Sequence, residues 1–536
     1  MSTLYRNGKV YTGALPLVSA FAVEDGRFIF TGSDAQGEAL NCDETVDLEG
    51  RFVCAGFNDS HMHLLNFGQS LTMAELASHT DSLAGLLSYL REFAAGLPAG
   101  EGRWIRGRGW NQDYFTDVQR MPDRHDLDTV SADVPVVIVR CCGHCLSVNS
   151  AALALCGVTA ETPCPEGGRI GMADGEPDGI FYDDAMSLVY SRLPVPGKEE
   201  IKQMLRLGCA ALNSYGVTSS QSDDYCVFRA VPWQTVNQAY RELEESGELT
   251  VRVYEQANFT SVPALEEFMA AGCVTGAGTD MFRIGPLKLL GDGSLGARTA
   301  YLSRPYADDP ATRGIPIFTQ EQLDELIGCA HSRGMQVAVH TIGDATMDMI
   351  LNAVEKAQFE HPRSDCRHGV VHCQISRPDQ LRRLADMDMH IYAQSIFLDY
   401  DIHIVERLVG PELAASSYSW KTLMELGCSV SNGTDCPVEL PDAMAGIQCA
   451  VTRTTQRDRV GPYLPRQAFT VQEALDSYTI RSAEASFEEA VKGRIAPGYL
   501  ADFTVLGADP FETDPFSLKD IPVLETYLGG RQVYRR

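Results

Sequence analysis

The stretch GPLKLLGDGSLGAR, residues 285–298, fits two incompatible folds. Gly291, Gly293 and Gly296 spell G-x-G-x-x-G directly after an apolar run, which is typical of a loop that cradles the pyrophosphate of a dinucleotide. Lys288 lies within that apolar run, and an ammonium group is costly to bury without a partner or a chemical role. The glycines favour a nucleotide-binding sheet, whereas the lysine favours a buried reactive centre.

The residues that follow this stretch argue against the nucleotide-binding interpretation. A dinucleotide-binding loop opens a long helix at once, and an acidic residue ends the next strand. Here the chain reaches Pro305 within a few residues and continues as a loop, so the acidic pair Asp308 and Asp309 ends no strand. We therefore expect the glycines to form a flexible or close-packed loop, and Lys288 becomes the informative residue.

Length and charge narrow the class of protein. The chain has 536 residues, 44% hydrophobic and 22% charged, which is typical of a globular protein. Its net charge of -28 disfavours nucleic acid and anionic membranes as partners and favours a small-molecule substrate. No leader-like or membrane-spanning apolar run occurs, and sixteen cysteines are scattered along the chain, so we expect a cytoplasmic protein with reduced thiols.

Both ends of the chain have the alternating pattern of strands. Asn7-Gly8 and Asp25-Gly26 are typical of tight hairpin turns in the first fifty residues. The last fifty residues return to the same pattern. We expect residues 1–54 and 486–536 to build one composite β-sandwich domain.

Between the two ends, eight short β-like runs alternate with helix-like segments, which predicts a (β/α)8 barrel over residues 55–485. The segment from about residue 66 to 197 is too long for a barrel loop, and we expect an inserted subdomain over the barrel mouth. The runs are RFVCAGFND, GVTSSQS, LTVRVYE, GPLKLLGDG, MQVAVHTIGD, GVVHCQ, MHIYAQS and CSVSNGTDCPV.

Polar residues with metal-binding side chains lie at the ends of these runs, where catalytic groups of such barrels are found. His61 and His63 are two residues apart in an extended segment, so both imidazoles point the same way. The later runs add Lys288, His340, His372 and Asp435. A single histidine at a strand end is more often a packing residue, but the convergence of all six predicts a metal site.

Several motifs resemble a known family. GFNDSHMHL is similar to the first-strand signature of the amidohydrolase superfamily. The segments that resemble its YtcJ-like branch, amidohydrolase family 3, are LKLLGDGSLGARTAYLSRPY, QVAVHTIGDATMDMILNAVE, RHGVVHCQ, SNGTDCPV and ALDSYTIRSAEA followed by GRIAPGYLADFTVL. That branch includes N-substituted formamide deformylases. The motifs occur in the expected order along the whole chain, so the resemblance implies a metal-dependent hydrolase.

The resemblance also implies how the metal is held. The implied ligands are His61, His63 and Asp435 for a first ion, and His340 and His372 for a second. Lys288 would bridge the two ions as a carbamate, because desolvation favours the neutral amine, which takes up CO2. Imidazole and carboxylate ligands favour one or two zinc ions, although iron, manganese or nickel fits the same donors.

The implied reaction is hydrolysis of a C–N bond other than a peptide bond, in an amide, formamide or related substrate. A metal-bound hydroxide would attack, and Asp435 would pass its proton to the leaving amine. The alternatives on the same scaffold are a cyclic imide or lactam hydrolase, an aminohydrolase and an isomerase. A non-catalytic binding protein is disfavoured because the ligand set is complete. Relatives are commonly homodimers, which makes a homodimer an expectation here.

Three residues are candidates for contact with the substrate: His144, Trp110 and Arg298. His144 lies in VRCCGHCLSVNSAAL, which resembles a family segment, so the C-x-x-C of Cys142 and Cys145 is read as coincidental. Trp110 lies in the insertion and is equally a candidate for its core. Arg298 follows the glycines and either orients substrate or holds the loop.

Two further positions depart from the family pattern or carry a structural alternative. An acidic residue usually precedes the sixth-strand histidine, but this chain has Val371, so the group that supports the His372 ring stays open. Asp344 is predicted to cap the N-terminus of the helix that follows the fifth run.

Overall fold

Eight parallel strands form the central sheet and are hydrogen-bonded to one another in chain order. They are β1 (Phe57–Met62), β2 (Val217–Ser222), β3 (Arg252–Asn258), β4 (Phe282–Leu290), β5 (Val337–Thr341), β6 (Gly369–His372), β7 (His390–Ala393) and β8 (Val430–Asn432). The end of β8 meets β1, because the Asp435 amide donates to the His61 carbonyl at 2.8 Å and the His63 amide donates to the Cys436 carbonyl at 2.8 Å. The predicted (β/α)8 barrel is confirmed.

The chain is divided into two units. The computed structural model describes residues 1–97, 103–141, 145–165, 167–228 and 230–536. The larger unit consists of Met1–Phe67 and Ile201–Arg536, and the smaller unit is Gly68–Glu200. No helix among the described residues is long and apolar enough to cross a membrane.

The run RFVCAGFND, predicted as one barrel strand, is divided by Gly56. Phe52–Ala55 joins a different sheet, and β1 begins at Phe57. A Cβ atom on Gly56 would lie 2.2 Å from Thr218 Oγ1, so the crossing between the two sheets fits only glycine. The first barrel strand therefore starts later than the apolar pattern indicates.

Helices separate the barrel strands, and their apolar residues recur at helical spacing. In Gln320–Ser332, Thr319 and Gln322 form a capping box, and Leu323, Leu326 and Ile327 are buried. The helices in or bordering this unit are Asp34–Glu38, Leu64–Ser70, Lys198–Ser214, Trp233–Glu245, Val262–Ala270, Gln320–Ser332, Asp344–Glu360, Pro378–Asp386, Leu398–Asp401, Val405–Ala414, Trp420–Glu425, Ala443–Thr452, Val471–Ser477 and Ile480–Ala485.

Two sheets built from both chain ends pack face to face in the larger unit. One sheet contains Thr3–Arg6, Ala20–Glu24, Arg27–Gly32 and Glu44–Asp47, and the other contains Lys9–Val10, Phe52–Ala55, Phe503–Leu506, Val523–Leu528 and Arg531–Arg535. The ring of Phe21 in the first sheet lies 5.0 Å from that of Phe503 in the second, and Tyr5 stacks on Phe21 at 4.7 Å. Aromatic packing of this kind holds the two sheets together.

The two predicted hairpin turns have different outcomes. Asp25 and Gly26 have positive φ and join two antiparallel neighbours, as expected. Asn7 also has a positive φ of 55°, but the strands on either side of Asn7-Gly8 belong to different sheets. The Asn-Gly signal therefore marks the turn correctly but not the pairing of its flanking strands.

The smaller unit has a mixed sheet of six strands and its own apolar core. Its strands are Ala74–Glu75, Ile105–Trp110, Val136–Arg140, Cys145–Val148, Gly168–Ala173 and Glu176–Asp183, and its helices are Leu83–Gly96, Arg124–Asp128, Ser150–Cys156 and Ser187–Tyr190. Leu86, Leu90 and Ile138 are buried together with Trp110.

Candidate metal centre

The end of β8 brings Asp435 between the two histidines at the end of β1. Asp435 Oδ1 lies 3.3 Å from His61 Nε2 and 3.1 Å from His63 Nε2. His372, at the end of β6, belongs to the same buried group: its ligand atom and those of His61 and Asp435 all lie within 4.8 Å of one another. Residues from three strands therefore converge as the strand-end argument predicts.

The remaining two residues come from β4 and β5. His340 Nδ1 lies 2.9 Å from His372 Nε2, so these two nitrogen atoms are directed at each other. Lys288 is 1% exposed, and its Nζ lies 3.8 Å from Asp223 Oδ2. The structure thus places all six predicted residues at the carboxyl ends of their barrel strands.

Each of the four imidazoles has its outer nitrogen next to an oxygen acceptor. The contacts are His61 Nδ1 to Gln256 Oε1 at 2.7 Å, His63 Nδ1 to Asp223 O at 3.0 Å, His340 Nε2 to Gly293 O at 3.1 Å and His372 Nδ1 to Gln394 Oε1 at 2.7 Å. Each outer nitrogen therefore carries a hydrogen and donates it. The inner nitrogen is thereby directed at the centre of the cluster, which is how metal-binding histidines are oriented in proteins.

This donor set fits a divalent cation. The lone pairs of His340 Nδ1 and His372 Nε2 face each other at 2.9 Å, and two lone pairs at that distance repel unless a proton or a cation lies beside them. Asp435 adds an anionic oxygen. Imidazole nitrogen and carboxylate oxygen are the ligands that catalytic zinc sites use.

Burial keeps three of the imidazoles neutral. It lowers the pKa of His340 to about 4, with a smaller contribution from the charge of Lys288, and it lowers the pKa of His61 by the same two causes. The pKa of His372 is also well below its usual range, because of burial and then His340. Neutral imidazole is the form that binds a metal ion.

His63 and Asp435 differ from these three imidazoles, because each stabilises the charged form of the other. Burial opposes the charged form of His63, but its hydrogen bond to Asp435 and the carboxylate charge raise the pKa of His63 to about 9. Burial likewise disfavours the Asp435 anion, but the neighbouring His61 and the protonated His63 hold its pKa well below the usual range. In the metal-free protein, a proton on His63 therefore supplies the positive charge that Asp435 requires.

The backbone is strained at two of these residues. His372 has φ 74° and Asp435 has φ 57°, and both are in the left-handed region that residues with a side chain rarely adopt. Such strain costs about 1–3 kcal/mol per residue and is concentrated at functional sites. The two strand ends are bent to turn these side chains into the cluster.

The glycine-rich loop after β4 supports His340. Gly293 provides the carbonyl that His340 binds, and the neighbouring Asp292 carboxylate accepts the amides of Ile342 at 3.1 Å and Gly343 at 2.8 Å. A Cβ atom on Gly293 would lie 2.1 Å from Thr299 Oγ1. The glycines therefore allow a close-packed loop that orients a histidine, and no phosphate-binding role is needed to explain them.

Gln394 provides the hydrogen-bond acceptor for the His372 ring that the apolar Val371 cannot provide. The acceptor for His372 comes from the residue directly after β7, so the neighbouring strand supplies what the preceding residue lacks. Phe397 adds a ring that stacks on His372, with centroids 5.7 Å apart and planes inclined by 17°. Hydrogen bonding and stacking together fix the orientation of the His372 imidazole.

The prediction did not include several residues that hold these ligands. Asp223 follows β2, Gln256 lies in β3, and Gln394 follows β7. All three occupy the same strand-end positions as the predicted ligands. Gln394 lies within its predicted run, but Asp223 and Gln256 come directly after theirs, so the strand-end rule finds all three only if it includes the residue after each run.

The three candidate substrate contacts have separate outcomes. His144 lies outside the described residues. Trp110 is fully buried in the apolar core of the smaller unit, so the structure places it as a packing residue and not on an open pocket wall. The Arg298 guanidinium is bound to Asp308 through Nε at 3.1 Å and Nη2 at 2.6 Å, which corresponds to holding the loop.

Two other positions are structural. The helix Asp344–Glu360 has Gly343 as its N-cap, so the expectation that Asp344 caps it is wrong by one residue. The Asp344 carboxylate instead accepts the Ser303 amide at 2.9 Å and binds Arg377 at 2.8 Å. Of the C-x-x-C pair, Cys145 is buried, and Cys142 lies outside the described residues.

A second histidine cluster lies apart from the metal centre, and hydrogen bonds account for it completely. The Val337 amide donates to His368 Nδ1 at 3.0 Å, which leaves His368 Nε2 to donate to His331 Nδ1 at 2.8 Å. His331 Nε2 then donates to the His361 carbonyl at 2.7 Å. Because every ring nitrogen has a partner, the chain of bonds explains this cluster as a structural element of neutral histidines.

The comparisons with known proteins agree with this geometry. The family model described as "Amidohydrolase family" matches residues 44–534. The putative amidohydrolase YtcJ of Bacillus subtilis is 33% identical over 544 residues, covering 100% of both chains. The N-substituted formamide deformylase of Arthrobacter pascens is 26% identical over 537 residues, covering 96% of this chain and 95% of the relative.

A solved structure shows the same architecture. The crystal structure of an uncharacterized metal-dependent hydrolase from Pyrococcus horikoshii has a TM-score of 0.80 and 28% sequence identity, and the match covers 96% of this chain and 99% of that chain. The chain thus matches the family along almost its whole length. At the mouth of its (β/α)8 barrel it has four oriented imidazoles, a buried carboxylate and a buried lysine. The protein belongs to the amidohydrolase family and is a metal-dependent hydrolase.

Proposed function

We propose that the protein hydrolyses a C–N bond other than a peptide bond in a small amide, formamide or related substrate. The observation that carries this proposal is the set of four imidazoles, each held by an outer oxygen and each with its inner nitrogen directed at one centre beside Asp435. A relative named for N-substituted formamide deformylation, 26% identical, supports the choice of bond.

We propose zinc, as one or two ions, for this centre. His61, His63 and Asp435 would hold one ion, and His340 with His372 would hold the other. When bound, the metal polarises a carbonyl oxygen and supplies a nucleophilic hydroxide near neutral pH. The nitrogen and oxygen donors suit zinc, and the outer hydrogen bonds fix their tautomers in advance.

Lys288 is suited to a bridging role after modification. As an ammonium ion it disfavours positive charge nearby, because it lowers the pKa values of His61 and His340. The same charge would repel a bound cation. Addition of the neutral amine to CO2 forms an N–C bond and releases one proton to solvent, which turns the side chain into an anionic oxygen ligand. We therefore propose that Lys288 is carbamylated.

Asp435 is placed to carry a proton during the reaction. Its Oδ1 lies 3.3 Å from His61 Nε2 and 3.1 Å from His63 Nε2, so it would be next to the water molecule that gives up a proton. In the proposed sequence it receives that proton and delivers it to the nitrogen of the leaving amine when the C–N bond breaks. The burial of Asp435 keeps bulk water from competing for the proton.

The metal content and the products test this function. Protein purified without chelator should contain about one to two equivalents of divalent metal per chain, which elemental mass spectrometry measures. A screen of N-formyl, N-acyl and cyclic amides should then release an amine and a carboxylic acid. A folded, metal-free protein with no turnover would refute the proposal. Release of ammonia would indicate an aminohydrolase. Opening of a ring would indicate a cyclic amide hydrolase, and rearrangement without water uptake would indicate an isomerase.

A further inference from the structure

A positive charge without a negative partner is buried after the helix Ala443–Thr452. Arg453 is 1% exposed and follows the helix Ala443–Thr452. Its Nε donates to the Tyr463 carbonyl at 3.0 Å, whereas its Nη2 is buried and has no acceptor. No carboxylate among the described residues forms an ion pair with it. A guanidinium has five N–H donors, and a buried donor without an acceptor is costly.

Aromatic rings surround this guanidinium but do not satisfy its donors. The Arg453 Cζ atom lies 5.8 Å from the centroid of the Trp420 ring and 5.8 Å from that of Tyr463. Ring faces attract a cation diffusely, as does the carboxyl end of the preceding helix. Burial nevertheless lowers the pKa of Arg453 to about 10, so the group stays charged near neutral pH.

The backbone conformation of Arg453 is a second unusual feature of this residue. Arg453 has φ 56° and ψ 32° at the end of its helix, a position where glycine is the least strained residue. A large cationic residue is therefore held in a strained conformation and directed into the interior. Neither the strain nor the burial has a compensating ion pair in the described structure.

We propose that Arg453 anchors a buried site for a small monovalent anion such as chloride, with Nη2 as its donor. An anion supplies both the missing negative charge and the missing acceptor. The Asp401 carboxylate, which binds the Tyr418 side chain, does not fill this role, because it is engaged by Tyr418 Oη at 2.8 Å and Gln374 Nε2 at 3.0 Å. The nearly complete burial of Arg453 favours a small inorganic ion over a substrate group.

The site is connected to the strained end of β6. Trp420, whose ring packs near Arg453, donates from Nε1 to the His372 carbonyl at 3.0 Å. Tyr418 donates from its amide to the Gln374 carbonyl at 2.7 Å. An anion that neutralises Arg453 therefore stabilises the residues that hold His372 in place. This role is separate from bond cleavage and goes beyond the proposed function.

Thermal unfolding of the full chain in chloride tests the site. At constant ionic strength, replacing gluconate by chloride should raise Tm saturably, by about 2 °C at tenfold excess over Kd. The variant Arg453→Met should lose this dependence. The variant Arg304→Met, which removes an exposed arginine paired with Glu412, should keep it. A chloride response that is absent in the wild type, or unchanged in Arg453→Met, would overturn the proposal.

Diffraction provides a test that does not depend on the stability of a variant. Crystals of the wild-type protein soaked in bromide should show an anomalous peak within hydrogen-bond distance of Arg453 Nη2. A water molecule at Nη2, with no anomalous signal, would show that the charge is hydrated and would refute an anion site.

Discussion

His372 Nε2 lies 2.9 Å from His340 Nδ1, and the opposite nitrogen of each ring is bound by an oxygen from another strand or loop. Gln394 and Gly293 thereby fix the two imidazoles with these nitrogens directed at each other and with ring planes inclined by 79°. Their lone pairs are available to a cation before it arrives, so little reorganisation is required on binding.

Removal of the acceptor for His372 should weaken metal binding. The variant Gln394→Leu leaves His372 Nδ1 without a partner, and we expect a loss of about 10- to 100-fold in metal affinity. The variant Gln394→Glu keeps an oxygen at this position and should stay close to the wild type. Competition with a chromogenic chelator measures both. Equal affinities in the wild type and Gln394→Leu would contradict the role of this hydrogen bond.

The glycines of the loop after β4 should differ in their tolerance of a methyl group. In Gly293→Ala the new Cβ meets Thr299 Oγ1 at 2.1 Å, so the carbonyl that orients His340 must move, and activity should fall at least about tenfold. In Gly296→Ala the nearest atom is Ile404 Cδ1 at 3.9 Å, and activity should be unchanged. A nucleotide-binding loop would require both glycines, so equal damage in the two variants would speak against our interpretation.

Lys288 should control metal content. We expect Lys288→Ala to lose the bridging ligand, to retain less metal and to lose activity. Lys356→Ala, which removes an exposed lysine paired with Asp324, is the matched control and should retain both. Elemental analysis and initial rates of turnover give the two readouts. Full metal content and full activity in Lys288→Ala would show that carbamylation is not used.

Metal affinity should increase with pH up to about 9. His63 binds a proton below its pKa of about 9, and this proton must leave when the metal binds. The apparent affinity should therefore fall by about tenfold per pH unit as the pH is lowered below that value. Titrations with a metal indicator between pH 6 and 9 measure the slope. An affinity that is constant over this range would contradict the coupling of His63 with Asp435.

Acid should destabilise the fold through His368. Burial lowers its folded-state pKa to about 3, whereas the unfolded value is about 6.5, so between these values the unfolded chain binds more protons. Stability is therefore complete above pH 6.5 and is lost as the pH falls, by about 2 kcal/mol from this group between pH 6.5 and 5.

Urea unfolding of a variant isolates this contribution. In His368→Asn the new amide oxygen can accept the Val337 amide but does not titrate, so the decline between pH 6.5 and 5 should become shallower. The exposed His403, replaced by asparagine, serves as the control and should leave the decline unchanged. An identical pH dependence in His368→Asn and the wild type would exclude His368 as a cause.

The sequence predicted the residues that form the cluster better than the residues that orient them. His61, His340 and Asp435 are found at strand ends because parallel strands of a barrel share one catalytic edge, and alternating apolar runs mark those strands. The pairing of Gln394 with His372 depends on which strands are neighbours and on a positive φ at His372. Neither property is visible in the residue pattern of a single strand.

Local sequence patterns also gave wrong predictions where contacts with residues distant in the chain determine the structure. Trp110 lies in an aromatic segment that is compatible with a pocket wall, but packing with Leu86 and Ile138 places it in a core. The run that contains Phe52 and Phe57 has the pattern of one strand, and the close approach of Thr218 to Gly56 divides it. Such outcomes depend on tertiary contacts that a propensity does not contain.

The antiparallel pairing of Phe52–Ala55 with Phe503–Leu506 has a consequence for synthesis on the ribosome. Nearly the whole chain separates these strands, so at typical translation rates the first waits on the order of a minute for the second. During that time its edge is open to pairing with other nascent chains. The buried Arg252 likewise lacks Asp502 until the last residues emerge. Chains that terminate early therefore display an unpaired sheet edge and an arginine without its carboxylate partner, by which quality-control factors can distinguish them from finished molecules.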